Sequence, residues 1–463
     1  MAFTAAEAAA ACGGVHYGPD TDAARQWRCD SREVRGGDGF AAIRGAKTDG
    51  HLYIKQAAEQ GAAVILAERE GLERAGVNPN DFPAVSLIVT ERRTEEALAL
   101  IAAEYLRRVT PKTIAITGSV GKTTTRELTT AAIASKRRVH GAVRSFNTII
   151  GCALTALSMP EDTEVLVLEL GTNHFGEIAE MVKYFPPETV VITEVVPAHL
   201  EGFGSVEGVL RAKLEICGSS KLSKIIYNYD NSLLRDVMSH NYDNVIKTGV
   251  GYGGGADLSI ESCAVALGEG GPATSVSCRF EGTEYAFTAP LFGRQHAYNI
   301  CFAIAAAMDC GVSAEDAAAG FASMKQLGGR GLCRRAAGGW VIDEAYNANP
   351  ASMKAAVQNA EEAAHSLGLK KTAALAGMRE LGESAAKYHR DILSMLSGFD
   401  SVFLLGAEWA ECGAPLAPNM RLCGSLDEMT GLVVKDGLDG RLVLVKGSNS
   451  YGLKKVVSAL TER

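Results

Sequence analysis

The sequence predicts an α/β protein of three domains. Two observations indicate the class: the chain has 463 residues, and short β-branched runs alternate with helical stretches along most of it. At roughly 150 residues per domain this length corresponds to about three domains. Alternating strands and helices are typical of parallel sheets covered by helices. A polar link near 107–112 and the glycine-rich stretch at 328–331 predict the domain boundaries.

The first predicted domain, residues 1–107, is a small α/β unit. Its alanine-rich start, residues 1–14, predicts a helix, and because no Lys or Arg precedes the apolar stretch it does not resemble a secretory signal. Apolar runs at 39–45, 61–68 and 85–90 predict strands.

The second predicted domain, residues 108–327, is a parallel sheet of the phosphate-loop ATPase type with an antiparallel insertion. Its strands are predicted at 112–117, 164–170, 189–195 and 224–228, and the insertion at 249–290. The third, residues 328–463, is predicted to be Rossmann-like. Its strands lie in the runs 340–347, 372–378, 401–407 and 441–448.

Composition excludes several classes of protein. The formal net charge of -8 provides no global positive field for a polyanion, so a general nucleic-acid binder is not expected. No run approaches the roughly 18 apolar residues of a membrane-spanning helix. The 11 cysteines lack paired CxxC spacing, which indicates reduced thiols of a cytosolic protein.

Residues 117–125, TGSVGKTTT, form the strongest motif. A glycine-rich turn between a strand and a helix lets backbone N–H groups approach phosphates, and the helix N-terminus adds partial positive charge. Ile116 stands where the general motif has glycine, so this loop is shorter, and an ordinary glycine-rich turn is the alternative. The predicted ATP contacts in the loop are Gly118, Ser119, Val120, Gly121, Lys122, Thr123 and Thr124.

This shortened loop resembles that of the Mur ligase family. Further segments resemble the family in the same order along the chain: 30–51, 168–178, 198–216, 292–307, 343–357, 376–389 and 445–452. Several are most similar to the branch that adds D-alanyl-D-alanine. The resemblance implies an ATP-dependent ligase of peptidoglycan synthesis that joins this dipeptide to UDP-N-acetylmuramoyl-tripeptide through an acyl phosphate. It implies small-molecule partners, Mg²⁺, a cytoplasmic location and, we expect, a monomer.

The resemblance also implies roles for single residues. Thr123, Glu169 and His199 would bind metal, and Lys213 matches a lysine that several Mur ligases carbamylate. The predicted catalytic residues are Lys122, Glu169, His199, Lys213 and Arg330. The predicted ATP contacts outside the loop are Asn299 for adenine, Arg330 for phosphate, Asp343 for ribose, and Tyr346 and Asn347. The predicted substrate contacts are Ser31, Arg32, Lys47, Asp49 and His51 around UDP, and Asn147.

The residues alone leave alternatives open. Glu169 follows a strand, where ligands bind in open α/β sheets, but it could be a surface glutamate. His199 could be structural, Lys213 could contact substrate phosphate unmodified, and the asparagines of the 347–350 stretch are also good turn residues. The chain departs from the family at Ser145, Thr148 and Asn449.

Four other functions compete with this interpretation. The branch that adds the third amino acid often carries a DNPR motif, which is absent here, and folylpolyglutamate synthetases usually have GKGS where this chain has GKTTT. A GTPase would need an NKxD-type segment, which is also absent. A regulator that has lost ligation would not need the second metal ligand. Whether the tripeptide ends in diaminopimelate or lysine stays open.

Overall fold

The computed structural model describes residues 4–22, 24, 26–142, 145–324, 326 and 328–462. It contains three sheets, of five, nine and six strands, together with helices, which confirms the predicted α/β class. The N-terminal helix was predicted from residue 1, but Met1 to Phe3 lie outside the described residues. Among the helices of the described chain, none is both long and apolar enough to cross a membrane.

The strands occur in three groups along the chain, one group for each sheet. The first sheet contains β1 (Val15–Tyr17), β2 (Trp27–Arg28), β3 (Gly39–Ala41), β4 (Val64–Glu68) and β5 (Ser86–Thr90). The second contains β6 (Lys112–Thr117), β7 (Val139–Gly141), β8 (Val165–Glu169), β9 (Thr189–Ile192), β10 (Lys224–Asn228), β11 (Ile246–Gly251), β12 (Leu258–Gly268), β13 (Gly271–Phe280) and β14 (Thr283–Ala289). The third contains β15 (Leu332–Ala336), β16 (Gly339–Glu344), β17 (Lys370–Ala376), β18 (Ser401–Leu405), β19 (Met420–Cys423) and β20 (Arg441–Lys446).

Helices lie between most of the parallel strands along the chain. They are α1 (Ala5–Cys12), α2 (Ile54–Glu59), α3 (Arg69–Ala75), α4 (Thr94–Val109), α5 (Lys122–Ala134), α6 (Ile149–Leu157), α7 (Glu177–Tyr184), α8 (Leu200–Phe203), α9 (Val206–Leu214), α10 (Ser232–His240), α11 (His296–Asp309), α12 (Ala314–Phe321), α13 (Pro350–Leu367), α14 (Ala385–Met395), α15 (Glu408–Glu411), α16 (Leu426–Asp436) and α17 (Lys454–Thr461).

The chain divides into two compact units. The first comprises Met1–Thr117, Lys136–Val191 and Leu214–Ile225. It holds the whole first sheet, in the order β1-β5-β4-β3-β2, and the parallel pairs of β8 with β6 and with β7. Only β1 is antiparallel to its neighbour in the first sheet. Apolar side chains such as Phe40, Ile65 and Leu87 form the core beneath that sheet.

The second unit comprises Gly118–Ser135, Ile192–Lys213 and Ile226–Arg463. Its strands β12, β13 and β14 pair antiparallel, which confirms the predicted insertion. Its six-stranded sheet has the order β15-β16-β20-β17-β18-β19. The neighbouring pairs β16/β20, β20/β17, β17/β18 and β18/β19 are all parallel, as expected of a Rossmann-like sheet. The predicted domain limits at 107 and 327 stay predictions.

Around β6 in the first unit, the strands have the order β9-β6-β8-β7. From β6 the chain builds β7 and β8 on one side, and then β9 on the other. This reversal makes the carboxyl end of β6 a topological switch point, where open α/β sheets bind their ligands. The motif TGSVGKTTT begins with the last residue of β6 and therefore lies at that point.

Candidate active site

The phosphate loop leads directly into the N-terminus of α5. Gly121 is the N-cap residue, with a φ of 86°, and no side chain caps the helix. The first N–H groups of a helix have no acceptor within the helix, so this end is suited to an anion. A Cβ at Gly118, whose φ is +146°, would lie 2.1 Å from the Thr193 hydroxyl oxygen. The positive φ of Gly118 and Gly121 therefore favours glycine at both positions. At Gly118 the nearby Thr193 hydroxyl also leaves no room for a side chain.

Residues after β9 hold the loop in shape. The Ser119 N–H donates to the Glu194 carbonyl (2.7 Å), the Ser119 hydroxyl donates to the Val196 carbonyl (2.9 Å), and the Thr193 hydroxyl donates to the Val120 carbonyl. The predicted strand 189–195 ends earlier, at Ile192, because the following residues turn to make these contacts. Sequence reasoning missed this support, since nothing in Thr193 or Glu194 marks them as partners of the loop.

The Glu194 carboxylate is held between the side-chain amides of Asn228 and Asn231, which both donate to it. Burial raises the pKa of this carboxyl, and the two amide donors oppose the rise. Two side-chain donors therefore stabilise the segment that carries the loop's acceptor carbonyl.

The cationic and hydroxyl groups of the motif lie along the loop. The Lys122 ammonium donates to the Gly118 carbonyl at 2.7 Å, so it curls back over the loop where phosphates are expected. Thr123 and Thr124 are buried, and the Thr125 hydroxyl donates to the Asn299 side-chain oxygen at 3.2 Å. Contact between Lys122 and the ATP phosphates stays a prediction.

Asn299 is hydrogen-bonded to the helix that follows the loop. Its oxygen accepts from Thr125, its amide nitrogen lies 3.0 Å from His296 Nδ1, and the residue is buried. A Cβ at Gly121 would lie 2.8 Å from the same oxygen. Burial lowers the pKa of His296 to about 4, so this ring is neutral near pH 7. Contact between Asn299 and adenine stays a prediction.

In the first unit, Glu169 is the last residue of β8 and is buried. Two residues later, the Gly171 N–H donates to the Asn147 carbonyl at 2.8 Å. A Cβ at Gly171 would lie 2.6 Å from the Asn147 side-chain nitrogen, so a larger residue there would displace that side chain. The structure therefore brings Asn147 beside the strand end that carries Glu169. Thr148, one of the departures from the family, is the N-cap of α6 and accepts from the Gly151 N–H.

In the second unit, His199 is surrounded by charged groups. Its Nδ1 is hydrogen-bonded to the carboxylate of Glu380, a residue from the turn after β17. Burial lowers the pKa of His199; the Glu380 carboxylate opposes this, and the ammonium groups of Lys213 and Lys122 add to it. Lys213 is itself buried, on α9. Three predicted catalytic residues thus share one electrostatic environment, and Glu380 is a member that sequence reasoning missed.

The strand β16 ends at the predicted ribose contact. The Asp343 carboxylate is buried and accepts from the Gly329 N–H (2.9 Å) and the Ala345 N–H (3.1 Å). The Arg330 guanidinium carbon lies 3.9 Å from the centre of the Tyr346 ring. This stacking keeps the two predicted ATP contacts together and presents a cation beside an aromatic face.

Asn347 and Asn349 have different roles in the loop after β16. Asn347 is exposed, and its carbonyl accepts from the buried Lys446 ammonium at 3.0 Å, which also contacts the Glu344 carboxylate at 3.1 Å. Asn349 caps α13 by accepting from the Ser352 N–H at 2.9 Å. The turn alternative holds for Asn349. Lys446 was not among the predicted site residues, although it lies in segment 445–452, which resembles the family.

The predicted UDP contacts divide into exposed and buried groups. Lys47 is exposed, and Arg32 is 81% exposed and pairs with Asp30 at 2.6 Å. The Ser31 hydroxyl donates to Gln56 at 3.0 Å.

His51 is fully buried in the same domain. Its Nδ1 lies 2.6 Å from Asp49, and its Nε2 accepts from the Glu68 N–H at 3.2 Å. His51 and Asp49 therefore fix the loop, and their contact with substrate stays a prediction.

The donors proposed for Mg²⁺ are a hydroxyl, a carboxylate and an imidazole. Among the described residues, no three His, Cys, Asp or Glu side chains cluster as a metal site. The predicted metal ligands include only two such side chains, Glu169 and His199, so they do not form a cluster of that kind. Oxygen donors suit Mg²⁺, and the metal usually completes its shell with water and substrate phosphates. The Thr123 hydroxyl and the buried Glu169 carboxylate fit that chemistry, and the His199 imidazole would add one nitrogen donor.

Comparisons with known proteins identify the family of the chain. The chain matches the Mur ligase family catalytic domain over residues 26–106, the Mur ligase middle domain over 116–307 and the Mur ligase glutamate ligase domain over 329–449. The UDP-N-acetylmuramoyl-tripeptide–D-alanyl-D-alanine ligase of Bacillus subtilis is 34% identical over 94% of this chain and 92% of its own length.

Two solved structures have similar folds. A MurF crystal structure from Acinetobacter baumannii matches with a TM-score of 0.84 at 24% identity, and it covers 100% of this chain and 99% of its own. MurF ligase from Thermotoga maritima, solved in complex with ADP, matches with a TM-score of 0.78 at 26% identity over 94% of this chain and 97% of its own. The family descriptions, the B. subtilis relative and these folds agree: the chain belongs to the Mur ligase family.

Proposed function

We propose that this chain is an ATP-dependent ligase that joins D-alanyl-D-alanine to UDP-N-acetylmuramoyl-tripeptide in peptidoglycan precursor synthesis. The observation that carries the proposal is the 34% identity, over 94% of the chain, to a ligase named for this reaction. The phosphate loop, with Lys122 curled over it and His199 and Lys213 in one electrostatic environment, provides machinery suited to phosphoryl transfer.

A carboxylate does not react with an amine, because its leaving group would be oxide. Transfer of the γ-phosphoryl group to the carboxylate gives an acyl phosphate, from which the amine displaces phosphate. The N-terminus of α5 and the Lys122 ammonium would bind the ATP phosphates. Arg330, on the segment that leads into β15, would stabilise charge on the transferred group.

Mg²⁺ would be held by Thr123, Glu169 and His199. When bound, the metal neutralises the repulsion between the phosphates and the substrate carboxylate. The positive charge of Lys213 suits phosphate directly. Carbamylation would convert it to an anion that suits the metal, and the mass of the intact protein distinguishes the two.

The UDP end of the substrate would bind the N-terminal domain. A pyrophosphate needs local positive charge, and the exposed Arg32 and Lys47 can provide it. Binding energy from this remote group would hold the tripeptide end in place for reaction. We further propose that the enzyme is a cytoplasmic monomer; light scattering of the purified protein tests the monomer directly.

The test is phosphate release from ATP and Mg²⁺ by the purified protein. UDP-N-acetylmuramoyl-tripeptide and D-alanyl-D-alanine are supplied separately and together, and the product mass is measured. The proposal expects release only with both substrates, and a product longer by two alanines. Tripeptides ending in diaminopimelate and in lysine are compared in parallel to identify the preferred third residue.

A rival pair, UDP-N-acetylmuramoyl-dipeptide with diaminopimelate or lysine, controls for the branch that adds the third residue. Turnover only with that pair would reassign the substrate within the family. ATP binding without turnover with either pair would contradict ligation altogether.

A further inference from the structure

Glu380 makes two contacts with the segment that carries His199. Its carboxylate is hydrogen-bonded to His199 Nδ1, and its backbone carbonyl accepts from the Leu200 N–H at 3.0 Å. The two residues are 181 positions apart, one after β9 and the other after β17. Side chain and backbone together therefore fix the turn after β17 against His199.

Both residues have an unfavourable backbone conformation. Only six described residues other than glycine have a positive φ, and His199 (51°) and Glu380 (64°) are two of them. Such a conformation costs roughly 1–3 kcal/mol and persists only where the surroundings determine it. Two strained residues in direct contact indicate that the position of each side chain matters more than the local backbone energy.

The turn that carries Glu380 is anchored on both sides. The Met378 N–H donates to His389 Nε2 at 3.0 Å, and the Arg379 N–H donates to the Ser448 hydroxyl oxygen at 3.1 Å. His389 and Met378 are buried. The backbone of the turn is therefore held by hydrogen bonds that do not involve the Glu380 side chain, and a substitution of that side chain need not disturb the turn.

We propose that Glu380 is a positioning residue that orients His199 for the metal. Its carboxylate accepts the Nδ1 proton of His199, which leaves the lone pair on Nε2 to face a cation. Histidines that ligate metals usually donate their other ring N–H to such an acceptor. Because Glu380 belongs to the turn after β17, metal affinity and the docking of that turn become coupled. The inference rests on the proposed function, in which His199 binds Mg²⁺.

The test measures metal affinity without turnover. Mn²⁺ replaces Mg²⁺, ADP is present, and free Mn²⁺ is measured by electron paramagnetic resonance for the wild type, Glu380→Ala and Glu380→Gln. Loss of such an outer partner typically weakens metal binding about 10–100-fold, and we expect this for Glu380→Ala. Glu380→Gln keeps an acceptor oxygen, so its loss should be smaller. The control Glu383→Gln, an exposed residue three positions along, should bind Mn²⁺ like the wild type.

A second comparison separates positioning from general damage. If Glu380 acts through His199, then Glu380→Ala should not weaken Mn²⁺ binding further in a His199→Ala background. The inference is overturned if Glu380→Ala weakens Mn²⁺ binding equally in the wild-type and His199→Ala backgrounds. It is also overturned if Glu380→Ala alone binds Mn²⁺ as tightly as Glu383→Gln. Wild-type ligation with the tripeptide is assayed separately. An enzyme whose Mn²⁺ binding depends on Glu380 but which does not ligate contradicts the proposed function and not this inference.

Discussion

Replacing Gly118 with alanine tests whether the phosphate loop has the shape described. The new Cβ would lie 2.1 Å from the Thr193 hydroxyl oxygen and 2.9 Å from the Glu194 backbone nitrogen. The φ of +146° adds strain of about 1–3 kcal/mol for a residue other than glycine. Overpacking against fixed backbone adds about 1–3 kcal/mol. The free energy of unfolding should therefore fall by about 2–6 kcal/mol in total, or the loop must move.

If the loop moves, it loses the hydrogen bonds that Ser119 makes to the carbonyls of Glu194 and Val196. Each is worth about 1 kcal/mol, and the N–H groups would no longer converge on a phosphate. ADP affinity, measured by titration calorimetry, should then decrease by more than tenfold, which corresponds to about 1.4 kcal/mol. Urea unfolding of Gly118→Ala measures the accompanying decrease in its free energy of unfolding.

Gly368→Ala is the matched control. Gly368 follows α13 with a φ of +66°, and a Cβ there would meet no heavy atom within 4 Å. It therefore bears the strain of a positive φ without the clash. The reasoning is refuted if Gly118→Ala unfolds at the same urea concentration as Gly368→Ala and binds ADP as tightly as the wild type.

Three further predictions concern charged groups. Lys122→Met should lower turnover by at least about 10²-fold, while the loss of its hydrogen bond to the Gly118 carbonyl should lower the unfolding free energy by only about 1 kcal/mol; kinetics and urea unfolding of one preparation check both. Lys446→Met leaves the partly buried Glu344 carboxylate without its buried cation and should cost about 3 kcal/mol, most of which Lys446→Met/Glu344→Leu should restore in urea unfolding. The pKa of His296, about 4, lies below its value in the unfolded chain, so protonation favours unfolding. The free energy of unfolding should therefore fall by about 3 kcal/mol as the pH decreases from 6.5 to 4. His296→Asn should reduce this pH dependence in urea unfolding.

The parallel strands were the most predictable part of the fold. Runs such as 112–117 and 224–228 coincide with β6 and β10, because central strands buried on both faces need continuous apolar residues. Strands β1, β2, β15 and β19 were not predicted. They are two to five residues long and lie at sheet edges, where one side is open and the apolar pattern is weak.

The phosphate loop was predictable from local sequence because its function requires consecutive residues. Glu380 was not, since its role depends on a contact with a residue 181 positions away. Asn349 shows a second limit: a turn asparagine and a ligand-binding asparagine look alike in sequence, and only its hydrogen bond to the Ser352 N–H identifies a helix cap.

The central claim is that the tripeptide carboxylate is activated as an acyl phosphate. Tripeptide substrate labelled with ¹⁸O in its reacting carboxylate is incubated with enzyme, ATP, Mg²⁺ and D-alanyl-D-alanine, and the released phosphate is analysed by mass spectrometry. The account predicts one ¹⁸O atom in inorganic phosphate for each amide bond formed, because the carboxylate oxygen leaves with the phosphoryl group. Label found in AMP, or amide formation with unlabelled phosphate, would contradict it.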